Sequence, residues 1–114
     1  MVKHITTLGR SGLYDWLIQR VTAVVVSLGL LGLIGFIICQ SPITYDKWHA
    51  FFELSFVKPL AFLTILGIIA HSWVGMWQIL TDYVKPVWLR LFCEVGVILL
   101  LIYFVIWSIQ ILWA

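Results

Sequence analysis

The chain has 114 residues, of which 63% are hydrophobic and only 11% are charged. A water-soluble domain of this length is mostly surface and needs many more charged side chains, so a soluble domain is excluded. The net charge of +2 is too small to indicate nucleic-acid binding, and no nucleic-acid partner is expected.

Three long stretches of the chain lack any charged side chain. Residues 21–45, 59–81 and 95–114 contain no Asp, Glu, Lys or Arg, and they are 25, 23 and 20 residues long. Because a helix needs about 20 apolar residues to cross a hydrocarbon core of roughly 30 Å, each stretch predicts one transmembrane helix. The sequence therefore predicts an all-α integral membrane protein. It is expected to form a single membrane domain over 1–114, with spans at about 16–40, 58–82 and 87–113.

The segments that flank these spans carry turn and capping signals. Residues 1–15 are polar and contain two glycines, which predicts a leader without a long regular helix. Pro42 is expected to end span one, and Thr44 is a candidate N-cap for a short helix in the outer loop. Pro59 is placed to open span two and Pro86 to open span three.

The basic side chains are distributed unevenly around the three spans. Those on one side of the membrane outnumber those on the other: Lys3, Arg10, Arg20, Lys85 and Arg90 against Lys47 and Lys58. Because cytoplasmic loops carry an excess of Lys and Arg, this distribution predicts a cytoplasmic N-terminus. Three spans then put the C-terminus on the outer, periplasmic side.

Span two concentrates its polar and small side chains on one face. Each residue of a helix advances about 100°, so five residues lie within about 40° of His71: Thr64, Gly67, Gly75, Gln78 and Asp82. Polar groups in a membrane face protein or a cofactor, because lipid cannot hydrogen-bond them. This stripe is therefore expected to face inward.

His71 lies near the middle of span two, between two glycines. It is 11 residues from Asp82, which is about 16 Å along the helix axis. Two interpretations are open. Small residues four apart let a second helix approach closely, with His71 as a structural residue. Alternatively, Gly67 and Gly75 clear space for a large flat ligand held by the imidazole, such as a haem.

His71 is the one histidine expected within the membrane, since His4 and His49 lie outside the spans. A six-coordinate haem with two histidine ligands would therefore take its second ligand from another subunit. Three short helices with polar stripes also make a poor isolated bundle. Both points predict a heteromeric helix bundle with an obligate membrane partner.

Ionisable side chains collect at the cytoplasmic end of the spans. Asp82 and Tyr83 end span two, while Asp15 and Arg20 bracket the start of span one. An acid and an interfacial tyrosine can simply anchor a helix, and Asp15 and Arg20 can be ordinary flanking charges. A phenol beside a carboxylate at the membrane surface is also suited to hydrogen-bond and protonate a quinone during its reduction.

Three motifs in the chain resemble one protein family. The run HSWVGMWQILTDYVKP at 71–86 is similar to the small hydrophobic membrane anchor of bacterial succinate dehydrogenase. Two further matches precede it: Leu8-Gly-Arg10-x-Gly12-x-x-Asp15 and Arg20-x-Thr22-Ala23. The resemblance covers the whole chain. It implies a complex of the bacterial inner membrane with a flavoprotein that oxidises succinate, an iron–sulfur subunit and a second cytochrome b anchor.

The resemblance also implies roles for individual residues. His71 would be one axial ligand of a b-type haem, and the second anchor would supply the other. Tyr83 would hydrogen-bond a carbonyl oxygen of ubiquinone, with Asp82 beside it. Four further residues are candidates for lining the two sites: Asp15, Arg20, Gly67 and Gly75. The expected function is electron transfer from succinate to ubiquinone, in the tricarboxylic acid cycle and aerobic respiration.

The chain has no complete active site of its own. It contains neither a dinucleotide-binding glycine motif nor a cysteine cluster for an iron–sulfur centre, so succinate oxidation is expected in partner subunits. Two alternatives stay open at this point. One is a structural or assembly membrane protein without a redox role, and the other is the anchor of a related fumarate reductase.

Overall fold

The computed structural model describes residues 12–114, and within that range the chain is helical, without strands. The helices are α1 (Gly12–Cys39), α2 (Tyr45–Glu53), α3 (Val57–Tyr83) and α4 (Val87–Leu112). In this range α1, α3 and α4 are long and apolar enough to cross a membrane. At about 1.5 Å per residue they exceed the roughly 30 Å of a hydrocarbon core. The predicted all-α membrane fold is confirmed.

Two helices begin earlier than the sequence indicated. Span one was expected to begin at about residue 16, but α1 begins at Gly12; residues 1–11 of the predicted leader lie outside the described range. Asp15 lies in the first turn of α1, where a carboxylate interacts favourably with the helix dipole. Pro59 was expected to open α3, but Val57 is the first helical residue. A proline is tolerated in a first turn, because the amides there have no intrahelical acceptor.

The outer loop folds as the sequence predicted. Thr44 is the N-cap of α2, and its side-chain oxygen accepts a hydrogen bond from the backbone amide of Lys47 at 3.3 Å. The Lys47 ammonium group donates to the carbonyl oxygens of Gln40 at 3.0 Å and Pro42 at 3.2 Å. These contacts satisfy carbonyls that follow the end of α1, where no further helical turn is present. Phe51 of α2 also stacks on Phe36 of α1, with ring centroids 4.0 Å apart.

Helix α3 is the central element of the fold. It packs against α1, α2 and α4, whereas the backbones of α1 and α4 do not approach each other closely within residues 12–114. The buried apolar side chains of the described chain all belong to α3: Val57, Trp73, Val74 and Leu80. Most other apolar side chains of the spans are exposed on the single chain. The three spans therefore form an open layer around α3, with wide apolar faces left for lipid or for another protein.

Small residues bring α1 and α3 close together. Gly29 of α1 lies directly against the side chain of Thr64 on α3. Gly67 of α3 is buried, and a Cβ there would lie 3.1 Å from Val25 and 3.3 Å from Val26. In a membrane, such glycines allow the dispersion contacts and close backbone approach that hold helices together.

We expect Gly29→Ala to disrupt the α1–α3 contact. An added Cβ would lie 2.8 Å from the Cβ of Thr64, so rotation of the threonine side chain cannot relieve the collision. Overpacking of this kind typically costs about 1–3 kcal/mol. The thermal midpoint of the detergent-solubilised protein should therefore fall. Gly32→Ala is the matched control, since no atom lies within 4 Å of a Cβ at that position. Equal loss in both variants would contradict the assigned contact.

Candidate functional site

His71 lies halfway along the central helix. It is 12 residues from Tyr83 at the end of α3, or about 18 Å along the helix axis, and its side chain is partly buried. Its ring nitrogen Nδ1 lies 3.1 Å from the hydroxyl oxygen of Thr22 on α1. Among the residues that the structure describes, Thr22 is the hydrogen-bonding partner of this imidazole.

Thr22 is held in place by its own helix. Its side chain is 8% exposed, and its hydroxyl lies 2.7 Å from the carbonyl oxygen of Ile18 and 3.3 Å from that of Gln19. A threonine hydroxyl in a helix commonly donates to the carbonyl four residues earlier, and this bond fixes its rotamer. The oxygen that faces His71 is therefore positioned by α1. Thr22 belongs to the Arg20-x-Thr22-Ala23 motif, but the sequence did not predict this contact with His71.

Thr22 belongs to a polar face of α1 that meets the stripe on α3. Asp15, Gln19 and Thr22 follow one another at helical spacing, and Asp15 is only 1% exposed. The side-chain amide of Gln19 lies beside Gly75, 4.0 Å from the position of a Cβ there. Its carbonyl oxygen is buried without a hydrogen-bond partner in the described chain. The i, i+4, i+7 pattern of polar residues was the sequence signal for this face.

The two glycines beside His71 have different surroundings. The side chains of Val25 and Val26 on α1 fill the space beside Gly67, so Gly67 lies in a helix–helix contact. Gly75 is less crowded, with the Gln19 amide at 4.0 Å as its nearest neighbour. The packing interpretation therefore accounts for Gly67. Space remains at Gly75, on the cytoplasmic side of His71 in the predicted topology.

The ionisable residues at the end of α3 and the start of α1 differ in exposure. Tyr83 is 78% exposed at the last position of α3, and Asp82 beside it is also exposed. Asp15 is buried, whereas Arg20 is exposed and its guanidinium carbon lies 5.1 Å from the ring centre of Trp16. The exposed phenol is thus accessible from outside the chain. Asp15 and Arg20 lie on different faces of α1.

A single imidazole suits some metal groups better than others. Within residues 12–114 there is no cluster of three or more His, Cys, Asp and Glu side chains that could hold a metal ion. A bare zinc or iron ion needs several protein ligands. A haem already supplies four nitrogen ligands to its iron, so the protein has to supply only axial ligands. The donor set at His71 therefore fits a haem axial ligand.

Together these features define a class of protein. The chain is a multi-pass helical membrane protein with a mid-span histidine and an acid–phenol pair where α3 ends.

Comparison with known proteins narrows this class to a family. No family model matches the sequence. The chain is 40% identical over 104 residues to the succinate dehydrogenase hydrophobic membrane anchor subunit of Coxiella burnetii (strain RSA 493 / Nine Mile phase I). The aligned region covers 91% of this chain and 90% of that protein. The chain therefore belongs to the family of succinate dehydrogenase hydrophobic membrane anchor subunits, as the sequence motifs indicated.

Proposed function

We propose that this chain anchors a succinate:ubiquinone oxidoreductase in the bacterial inner membrane, ligates a b-type haem and forms part of the quinone-reduction site. The observation that carries the proposal is the near full-length similarity to a succinate dehydrogenase anchor, together with a mid-span histidine in a polar inter-helix contact. In this proposal the chain is one subunit of an enzyme.

His71 is the residue that would hold the haem. With Nδ1 turned to Thr22, Nε2 is the nitrogen left for iron. A bound haem would supply a one-electron redox centre within the membrane. The second axial ligand would come from the second cytochrome b anchor, because His49 lies in α2 at the outer end of the spans. His4 lies outside the described residues.

Tyr83 is the residue that would orient the quinone. Its phenol is exposed at the end of α3 and can donate a hydrogen bond to a quinone carbonyl oxygen. Asp82 precedes it and can exchange protons with water at the membrane surface. Reduction of a quinone to a quinol takes up two electrons and two protons, so a proton donor beside the carbonyl is required. Arg20 and Asp15 lie near the start of α1, at the same end of the spans as Tyr83, where they would line this region.

The remaining surface of the chain supports an assembly. Helices α1 and α4 expose wide apolar faces on the single chain. Lipid can cover part of these faces, and the second anchor would cover the part next to His71. The iron–sulfur subunit would dock at the end that carries Tyr83, and the flavoprotein would bind on that subunit. The electrons would then enter close to the quinone.

Helix packing without redox chemistry is the second candidate function. It is favoured by one observation, the contact of Gly67 with Val25 and Val26. The contact explains one glycine of the stripe, and the hydrogen bond between Thr22 and the partly buried His71 is also compatible with helix packing. The haem assignment additionally gives a role to Nε2 of His71.

We expect His71→Ala to remove the haem from the assembled complex. The reduced-minus-oxidised optical spectrum of purified complex should lose its low-spin b-type signal, because the porphyrin iron loses an axial ligand. His49→Ala is the matched control, since His49 lies in α2 and contacts Tyr45 and Glu53 rather than a span. A full haem signal in His71→Ala would refute the ligand assignment.

We expect Tyr83→Phe to slow quinone reduction about fivefold or more. Loss of one hydrogen bond, worth about 1 kcal/mol, accounts for that factor. Succinate oxidation with an artificial water-soluble acceptor should be unchanged in the same preparation. Tyr45→Phe is the control, because Tyr45 is similarly exposed, at 76% against 78%, but lies in α2 at the other end of the spans. Equal loss of both activities would indicate an assembly defect instead.

We expect fusions to report a periplasmic C-terminus. Alkaline phosphatase fused after Ala114 should be active in cells, because the enzyme matures in the oxidising periplasm. The same reporter inserted after Lys85, in the loop between α3 and α4, should be inactive. The reverse result would invert the proposed topology.

A further inference from the structure

The contact between Thr22 and His71 constrains where the imidazole proton lies. A neutral imidazole carries one N–H, on either Nδ1 or Nε2, and the nitrogen that carries it cannot also ligate a metal. Which nitrogen is protonated is set by the hydrogen bond that each one makes. In this chain the relevant bond joins Nδ1 of His71 and the hydroxyl oxygen of Thr22 at 3.1 Å.

The hydroxyl of Thr22 has a single proton, and a closer acceptor is present. The carbonyl oxygen of Ile18 lies 2.7 Å away, and a carbonyl can only accept. Once the hydroxyl proton is donated to Ile18, the oxygen of Thr22 has lone pairs alone to offer His71. The nitrogen that faces it must then be the donor. This assigns the imidazole proton to Nδ1 and leaves the lone pair of Nε2 unprotonated.

We propose that Thr22 is a positioning residue that holds His71 in the Nδ1-protonated tautomer, with Nε2 free to ligate iron. The inference rests on the proposed haem site and extends it to a residue on another helix. Histidines that bind metals usually donate their second N–H to a carboxylate, a carbonyl or a water. Thr22 takes that place here, and the intrahelical bond to Ile18 turns its hydroxyl into an acceptor.

The surroundings of Thr22 explain why this one contact would be decisive. Thr22 is 8% exposed, so water has little access to replace its hydroxyl. An Nδ1–H that faces Thr22 within the membrane and lacks an acceptor would be an unsatisfied donor, which is unfavourable. The same bond also limits rotation of the ring about its bond to Cβ. Tautomer and ring orientation are thus set by α1 before a ligand is present.

The test compares three variants in the assembled complex: Thr22→Val, Thr22→Ser and Thr64→Val. Valine keeps the shape of threonine without the acceptor, and serine keeps the acceptor. Thr64→Val is the matched control, because Thr64 also lies at the α1–α3 contact and donates to the carbonyl four residues earlier, at 2.9 Å. The measurements are haem per flavin after detergent extraction and the midpoint potential of the haem, followed by its optical spectrum.

We expect the Thr22→Val complex to retain about one tenth of the haem or less. Loss of the hydrogen-bonding partner of a metal-ligating histidine typically costs 10–100-fold in metal affinity. In the haem that remains, the midpoint potential should rise, because an imidazole without an acceptor on Nδ1 donates less charge to ferric iron. Each tenfold loss of preference for the ferric form corresponds to about 59 mV. Thr22→Ser and Thr64→Val should match the unmodified complex.

Several results would overturn the inference. One is an unchanged haem content and potential in Thr22→Val. Another is an equal change in Thr64→Val, which would assign the effect to helix packing. If valine prevents assembly, Thr22→Ala removes the same acceptor with less bulk, and its potential is compared with that of Thr22→Ser. A different result would refute the proposed haem ligation itself, namely a full haem signal in the His71→Ala complex.

Discussion

A hydrocarbon layer offers no hydrogen-bonding partner, so each polar side chain within the spans must be satisfied by protein. The hydroxyls of Thr64, Thr81 and Ser108 meet this constraint within their own helices, by donating to carbonyl oxygens three or four residues earlier at 2.7–2.9 Å. His71 instead bonds to a different helix. Its partner is Thr22, and this pair requires a fixed register of α1 against α3. The position of the candidate site therefore depends on how these two helices pack.

The packing of α1 on α3 uses glycine on both helices. Gly29 admits the side chain of Thr64, and Gly67 admits Val25 and Val26. These contacts lie on the outer side of the Thr22–His71 pair in the predicted topology, and they bring the backbones close enough for the polar pair to form. Glycine in a helix interior lowers helix stability by about 1 kcal/mol relative to alanine. In this protein that cost is offset by inter-helix contact, which a larger residue would prevent.

The sequence predicted those features that a bilayer imposes directly. Three charge-free stretches are required by the thickness of the hydrocarbon core, and the Thr44 cap follows from local backbone chemistry. The part of α3 that meets α1 followed from the polar stripe, through His71 and Gly67. The stripe did not predict Trp73 and Leu80, which are buried on the opposite side of the helix. The role of Thr22 was not predicted, because the periodicity of one helix does not reveal which helix packs against it. The polar face of α1, formed by Asp15, Gln19 and Thr22, carried the missing information.

The sequence also did not predict where α1 begins or which side chains surround Gly67. Gly12 and nearby small residues argued against a long regular helix before span one, yet α1 begins at Gly12, with Asp15 in its first turn where a carboxylate is favourable. Gly67 and Gly75 are equivalent by spacing, but they differ in which side chains of α1 reach them. Such differences arise from tertiary contacts, which residue type and helical period do not contain.

The backbones of α1 and α4 do not approach each other closely within residues 12–114, which has a consequence for biosynthesis. Both members of the Thr22–His71 pair lie in the first two spans, and no residue of α4 contributes to their bond. The pair can therefore form as soon as the hairpin of α1 and α3 has entered the membrane. Insertion of α4 is then a separate event, and orientation of the histidine does not depend on it.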